Sequence, residues 1–481
     1  MTRRGIVSWA SYLPFHRLDR TSVAGTLGSG GGRGTRTVAS YDEDTTSMAV
    51  EAARRALRAL PELAERPTAI YFSTSAPAYL EKSNASAIHA ALGLDSSVTS
   101  YDFTGGVRSG VGALQAALDR HEPTLVVLSD IRGGMPGSVD ESSGGDAAVA
   151  FVTGTGDAVA AEVVAAGGTS KEILDRWRLP GSPTVRSWEE RFGESHLVAP
   201  AEQALAETLK KAGLALDELT RIAVSGPSAR AARAVVARIG AERSALADDL
   251  AATVGFTGAA HAGLLLASML DEAGAGQVLA SLSFADGADA LLLRTTDAVA
   301  GARPTVTVAA QAAGGGPFVP YPMFLSWRGH LRRDPPRRPD PHGPLAPASE
   351  RADGWKYGFT ASRCRDCGRR HLPPQRVCLQ CRSMDRMDLE RAADDAATIV
   401  TYTIDRLAYS PSPPMVVVAV DFDGGGRFQC ELTDVDPDTV RIGQRVEMTF
   451  RRLFTADDIH NYFWKARPLS EETANGEGDA Q

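Results

Sequence analysis

Apolar positions in the first 300 residues fall alternately into short continuous runs and helical stripes. Gly5 to Tyr12, Ala69 to Phe72 and Leu125 to Leu128 read as buried strands. Between them, Asp44-Thr45-Thr46-Ser47 is a helix start, and Val50, Ala53, Leu57 and Leu60 follow it at helical spacing. Ser83 to Leu92 also reads as a helix, and the glycine-rich loop Asp102 to Gly110 opens another over Val111 to Leu118. Gly144 to Phe151 and Ala158 to Val164 read as a hairpin. The order then repeats: a helix over Ala201 to Ala212, a strand over Arg221 to Val224, helices over Ala229 to Ile239 and Gly258 to Leu270, and strands over Val278 to Phe284 and Ala290 to Leu293. Gly255-Phe256-Thr257 precedes the buried helix as Asp102 to Gly110 precedes its counterpart. The pattern predicts an internally duplicated α/β core whose sheet is covered on both faces.

Past residue 300 the texture changes. Thr305 to Ala309 is a last possible strand, and Arg332 to Pro347 alternates Arg, Asp and Pro too densely for a helix or central strand, which predicts an extended linker. Thr398 to Ile404, Met415 to Phe422, Arg427 to Leu432 and Arg445 to Phe450 are short β-rich runs separated by Asp, Gly and Pro, spaced as in a small barrel. These strands lack the basic and aromatic face of an oligonucleotide binder.

One motif lies between the two textures. Cys364-Arg365-Asp366-Cys367-Gly368 and Cys378-Leu379-Gln380-Cys381 form two Cys-x-x-Cys knuckles, so Cys364, Cys367, Cys378 and Cys381 can converge on one Zn2+ at about 2.3 Å. Four sulfur ligands leave no open position, which makes the expected ion structural. They also use four of the five cysteines, leaving Cys430, so residues 1–363 contain no thiol. A net charge of −8 gives no broad attraction to nucleic acid or anionic lipid. The N-terminus has no apolar signal-type segment and no run is long enough to span a membrane, so a cytoplasmic protein is expected.

Particular stretches carry a resemblance. Gly5 to Ser8 through Leu13 to Leu18, Asp42 to Arg54, the Asp102 to Leu114 loop, Gly255 to Asp271, and Tyr321 to Gly329 resemble the thiolase superfamily in its hydroxymethylglutaryl-CoA synthase branch. Tyr357-Gly358, both knuckles, Gly426 to Phe428, Asp434 to Pro437, Val440 to Gly443 and Tyr462 to Pro468 resemble the acyl-CoA-associated zinc-ribbon and OB-fold domain of DUF35 type. The resemblance implies a five-layered α-β-α-β-α thiolase-like core with halves at 1–165 and 166–330, a Pro/Arg-rich linker at 331–353, a zinc ribbon at 354–390, an OB-fold at 391–470 and a disordered tail at 471–481. It also implies a homodimer, a CoA or carrier-protein thioester as ligand, and a carrier protein or enzyme as further partner.

The family's catalytic residues do not carry over. Its nucleophilic Cys position falls on Val107, its general-base Glu on Ser75, its His near Ser225 and its Asn or His on Phe256. Polar residues on or beside the same loops are the remaining candidates: Tyr79, Asp102, Ser225 and His261 for chemistry, Arg108 and Thr257 for substrate binding. Each also has a purely structural reading, as packing, cap, ion pair or hydrogen-bonded core histidine. Cys430 lies within an expected strand as a buried thiol. Three functions compete: Cys-independent aldol or retro-aldol chemistry on an acyl thioester, a non-catalytic scaffold or acyl-binding partner, and a Claisen-type acyl transfer that the missing residues disfavour.

Overall fold

The structure, a computed structural model, describes residues 2–469 except 63, 183, 189, 335 and 337–340, together with the backbone alone at 190–195. The expected disordered tail at 471–481 lies outside the described residues.

The first half supplies β1 (Arg4–Tyr12), β2 (Ala69–Thr74), β3 (Thr99–Thr104), β4 (Thr124–Ile131) and β5 (Asp146–Thr155). The second supplies β6 (Ala161–Ser170), β7 (Arg221–Ser225), β8 (Val278–Ala285) and β9 (Gly287–Thr295). All nine join one ladder in the order β3-β2-β4-β5-β1-β6-β9-β8-β7. Counted along the chain within its own half, the first half runs 3-2-4-5-1 from its outer edge. An isolated parallel bridge from Ile222 to Leu246 supplies the second half's third element, and that half then runs 3-2-4-5-1 as well. The parallel and antiparallel pairings also match between halves. The duplication seen in the apolar pattern is therefore a duplication of topology.

The halves meet where β1 pairs with β6 through Gly5 and Ile6. A Cβ at Gly5 would run into the Ala161 carbonyl, so the close approach requires glycine there. This placement corrects the expected hairpin. The chain segments on either side of Gly156 do not pair with each other, because β1 lies between them and takes both as partners.

Helices complete five layers. α1 (Thr45–Arg58) and α2 (Ala85–Leu92) cover the outer face of the first half, and α3 (Ser109–Leu118) lies on its inner face. α4 (Glu190–Ala212) and α5 (Ala229–Ile239) cover the outside of the second half, while α6 (His261–Glu272) packs against α3 and against strands of both halves. α1 starts where the sequence placed it, with Asp44 and Ser47 forming a reciprocal capping box. Thr305 to Ala309 is not a strand. Thr307 accepts from the Ala310 N–H and caps a helix over Val308–Ala313, because a local cap satisfies the backbone there without a neighbouring strand. The linker stretch likewise turns helical at its end, over Ala346–Arg351, with a proline in the first turn where its missing N–H costs nothing.

The C-terminal part packs on α1. Three short strands, Thr360–Cys364, Arg370–His371 and Met387–Arg391, carry the cysteine knuckles. They lead into a barrel of β10 (Ala397–Asp405), β11 (Met415–Phe422), β12 (Arg427–Glu431), β13 (Arg445–Ala456) and β14 (Ile459–Pro468), ordered β12-β11-β10-β13-β14 and closed by a bridge from Leu432 to Ala466. β14 is a fifth barrel strand beyond the four β-rich runs that the sequence showed. Met48 and Ala52 of α1 belong to one apolar cluster with Phe450, Tyr462 and Trp464 of the barrel, so the two parts share a core.

Charges cross the same boundary. Arg451 is buried beside Asp42, Glu43 and Asp434, Lys465 beside Asp42 and Glu431, and Arg467 beside Glu51 and Glu447. Burial alone would raise Asp42 and Glu51, but Lys465 and Arg451 around the first, and Arg467 and Arg54 around the second, outweigh it and hold each at about 2. Burial outweighs Arg451 at Glu43, whose pKa is raised. Arg451→Ala should destabilise the chain by about 3–5 kcal/mol, read from the urea midpoint, because it leaves buried carboxylates unpaired. Because Asp42 and Glu51 have folded pKa values below their unfolded ones, their contribution is full above about pH 5 and lost as pH falls toward 2. Urea midpoints measured across that range should fall with pH, and more shallowly in Glu51→Gln.

Candidate active site and zinc centre

The parallel strands β2, β3 and β4 end on one side of the sheet, with β2 between the other two. Loops leaving such strands diverge and leave a crevice. A cleft of about 680 Å³ opens there. Its walls are the loop after β2 (Ser75 to Pro77 and Leu80), the loop after β3 (Thr104 to Val107), the segment Asp175 to Ser182 before α4, and Pro227, Ala285 and Asp286 from the second half. The two halves thus share one site.

The floor is polar. The Ser75 hydroxyl donates to Asp130 Oδ2 at 2.6 Å, and Arg132 donates to Ser75 Oγ at 3.1 Å. The Ala259 N–H, from the loop before α6, donates to the same Asp130 oxygen at 2.9 Å. Asp130 is fully buried, and burial raises its pKa although Arg132 and the Ser75 hydrogen bond pull the other way. Arg178 donates to the Ser75 carbonyl. Gly258 has φ +54°, and a side chain there would strike the Asp130 carboxylate and Arg132, so glycine is required for the second half to reach this floor.

Of the residues singled out in the sequence, Ser75 and Val107 line the cleft. Ser225 ends β7 two residues before the lining Pro227 and is itself buried opposite Ser283. Phe256 lies behind the floor, with the Arg132 guanidinium 5.8 Å from its ring centroid and the His261 ring at 4.9 Å. His261 Nδ1 is 3.3 Å from the Thr257 hydroxyl, and burial lowers its pKa to about 4, so at neutral pH it is an uncharged core group. Thr257 is buried with it.

The others face elsewhere. Asp102 accepts from the N–H groups of Asn84 and Ala85 at 2.7 Å each, which ties down the start of α2. Arg108 forks onto Asp289 at 2.7 and 3.0 Å and reaches the Thr169 and Asp286 carbonyls, so it joins the halves. Tyr79 turns toward the barrel, where its hydroxyl accepts from the His460 N–H at 2.7 Å. Cys430, on β12, is half-buried, and desolvation pushes its thiol up to about 12.

Sequence reading missed Asp130, Arg132 and Arg178. Asp130 and Arg132 were within reach: they follow the apolar run Leu125 to Leu128 directly, and charged groups at the C-terminal end of a buried strand point to a site. Arg178 sits in an irregular segment with no periodicity to place it.

At the knuckles the four Sγ atoms of Cys364, Cys367, Cys378 and Cys381 lie within 4.8 Å of one another, with 3.6 Å between Cys364 and Cys381 and 3.5 Å between Cys367 and Cys378. Four convergent sulfurs suit a structural zinc ion. Gly368 at φ +74° and Arg382 at φ +63° turn the chain after each knuckle. No ribbon residue lines the cleft.

Residues 356–385 match the ChsH2 rubredoxin-like zinc ribbon domain and residues 390–451 the ChsH2 C-terminal OB-fold domain. Over 314 residues, 62% of this chain and 89% of the relative, the chain is 29% identical to a hydroxymethylglutaryl-CoA synthase of Pyrobaculum neutrophilum. The chain joins a hydroxymethylglutaryl-CoA synthase-like core to a ChsH2-type zinc ribbon and OB-fold. A synthase of Pyrobaculum aerophilum is 33% identical to the synthase-like core over 206 residues, 40% of this chain and 59% of that protein. Among solved structures, PksG, an HMG-CoA synthase from Bacillus subtilis, aligns with TM-score 0.58 at 19% identity over 68% of this chain and 89% of that one. MvaS in complex with 3-hydroxy-3-methylglutaryl coenzyme A aligns with TM-score 0.56 at 20% identity over 71% and 95%. The fold of the synthase-like core is thiolase-like. Among the described residues, no helix is long and apolar enough to cross a membrane.

Zinc content should read one ion per chain in a colorimetric chelator assay. Cys367→Ser or prolonged chelation should remove it and speed amide exchange over residues 360–391, because the ribbon has little core of its own.

Proposed function

We propose that the cleft binds an acyl thioester, of CoA or a carrier protein, and makes or breaks a carbon–carbon bond by an aldol or retro-aldol step without an acyl-enzyme. The single observation that carries this reading is the Ser75 hydroxyl, on the cleft surface, held 2.6 Å from a fully buried Asp130. Similarity to synthases named for a CoA thioester supports the ligand class. Val107 presents only methyl groups where the resemblance puts the nucleophile, and no thiol exists before Cys364, which argues against Claisen-type acyl transfer.

In the cleavage direction, Ser75 Oγ takes the proton of the substrate's β-hydroxyl as its own proton passes to Asp130. The Cα–Cβ bond breaks, its electron pair enters the thioester enolate, and an aldehyde or ketone leaves. The enolate carbon then recovers the proton through Ser75. Burial makes Asp130 a stronger base than a solvated carboxylate, and Arg132 and Arg178 bring positive charge to the floor for the enolate.

One observation favours a second reading, a non-catalytic acyl-binding partner of another enzyme: Asp102, Arg108 and His261 are all engaged within the fold. In either case we place the protein in the cytoplasm as a homodimer. The edge strand β3, with Tyr101 half exposed, offers a free sheet edge for pairing.

The test is incubation with a panel of β-hydroxyacyl-CoA thioesters followed by mass spectrometry. Release of an aldehyde or ketone is expected, with Asp130→Asn lowering kcat by about 10²–10⁴-fold and Ser75→Ala acting in the same direction. A bound but unreacted thioester selects the second reading. A covalent acyl adduct on residues 1–363 rejects both.

A further inference from the structure

The hairpin β13–β14 extends beyond the barrel. Its turn, Asp457-Asp458, has φ of +50° and +59°, the left-handed pair of a tight two-residue connection, and the strands stay paired to the tip with one register shift between Arg452 and Phe454. Below the tip the strands are fixed to the core. The Arg452 N–H donates to the Asp42 carbonyl at 2.8 Å, and the Tyr462 hydroxyl donates to Asp44 Oδ2 at 2.7 Å. Arg451 is buried between them among its carboxylates.

The tip reaches the rim of the cleft. The His460 N–H donates to the Tyr79 hydroxyl at 2.7 Å, and the two rings lie 4.9 Å apart. His460 Nδ1 lies 2.8 Å from the Thr455 hydroxyl of the opposite strand, which holds the ring in place. From the core side, the Thr45 hydroxyl donates to the Ala76 carbonyl at 2.9 Å, and Asn84 clasps both the N–H and the carbonyl of Tyr79. Ser75 to Pro77 and Leu80 of this loop line the cleft, while Tyr79 between them points to the hairpin.

We propose that Tyr79 is a positioning residue through which the C-terminal barrel fixes the cleft rim, and with it the Ser75 hydroxyl on Asp130. The proposal rests on reading Ser75 and Asp130 as a proton relay. It gives the fused domain a role in the site although none of its described residues lines the cleft. A surface tyrosine that merely packs would leave the geometry at Ser75 untouched when its hydroxyl is removed.

A substrate-free reporter separates this proposal from the reading beneath it. In the zinc-loaded full-length chain, Ser75→Cys places a thiol against Asp130, Arg132 and Arg178. Its alkylation by iodoacetamide is followed against pH, with the parent chain as background. The native thiols are the zinc ligands and Cys430, which desolvation pushes to about 12. Adding Tyr79→Phe should move the apparent pKa of the introduced thiol by about half a unit or more. Exchange of amides 75–80 should speed by about tenfold, the loss of one hydrogen bond, with the melting temperature held. His460→Ala, which keeps the backbone donor and deletes the ring, should give a smaller shift in the same direction. An unchanged thiol titration in both double variants overturns the proposal whatever the exchange rates do. If Ser75→Cys does not fold, exchange over 75–80 in Tyr79→Phe alone decides: faster supports, unchanged overturns. A shifted thiol in a protein that cleaves no thioester upholds the positioning and rejects the relay chemistry.

Discussion

Burying Arg451 among Asp42, Glu43 and Asp434 fixes how the two parts of this chain sit together. Ionised side chains leave water only when partners compensate them, and here the partners come from both sides: Asp42 and Glu43 from the loop before α1, Arg451 and Asp434 from the barrel. Lys465 and Arg467 repeat the arrangement along β14. Apolar packing of Phe450 and Trp464 against α1 supplies area, and the ion pairs add direction to it. Directed pairs cannot slide without stranding a charge. The seam therefore sets the position of everything at the far end of the hairpin.

The core imposes a second constraint of the same kind. Because both halves have one topology and meet through β1 and β6, the ends of β2, β3 and β4 face the ends of β7 and β8 across α3 and α6. The cleft is the space left between loops of two copies of one motif. Gly258 shows how closely they approach, since its missing side chain lets the second half's loop donate to Asp130. A floor assembled from both halves is rigid, because moving either breaks hydrogen bonds to one carboxylate.

Much of this was legible in the chain. Short apolar runs alternating with helical stripes gave the α/β core and its duplication, and two knuckles gave the zinc ligands outright, because ligand spacing is local information. The β1 insertion was not legible. Gly144 to Phe151 and Ala158 to Val164 look like neighbours along the chain, and only the non-local partner β1 separates them. The site was half legible. Ser75 and Val107 came from the resemblance and line the cleft, whereas Tyr79, Asp102 and Arg108 were chosen as polar residues on or beside the right loops, and Asp102, expected to open a loop, lies within β3. A loop position does not say which way a side chain points. Asp102 turned to a helix start, Arg108 to Asp289 and Tyr79 to the barrel, each drawn by a partner far away in sequence.

A hydroxyl is a poorer relay than a thiolate is a nucleophile, and this connects the seam to the cleft. A thiolate stores its reactivity in its own charge and tolerates some disorder. Serine has no such reserve: it passes a proton only while its oxygen stays within hydrogen-bond reach of both base and substrate, and small displacements are costly. Ser75 begins a loop that the core holds through Thr45 and Asn84 and whose outer side takes one further hold. His460, carried on a hairpin whose register the buried ions fix, supplies that hold at Tyr79. A site built on Ser75 and Asp130 thus gains from a fused barrel in a way that a site built on a thiolate would not, which gives a physical reason for joining the two parts in one chain.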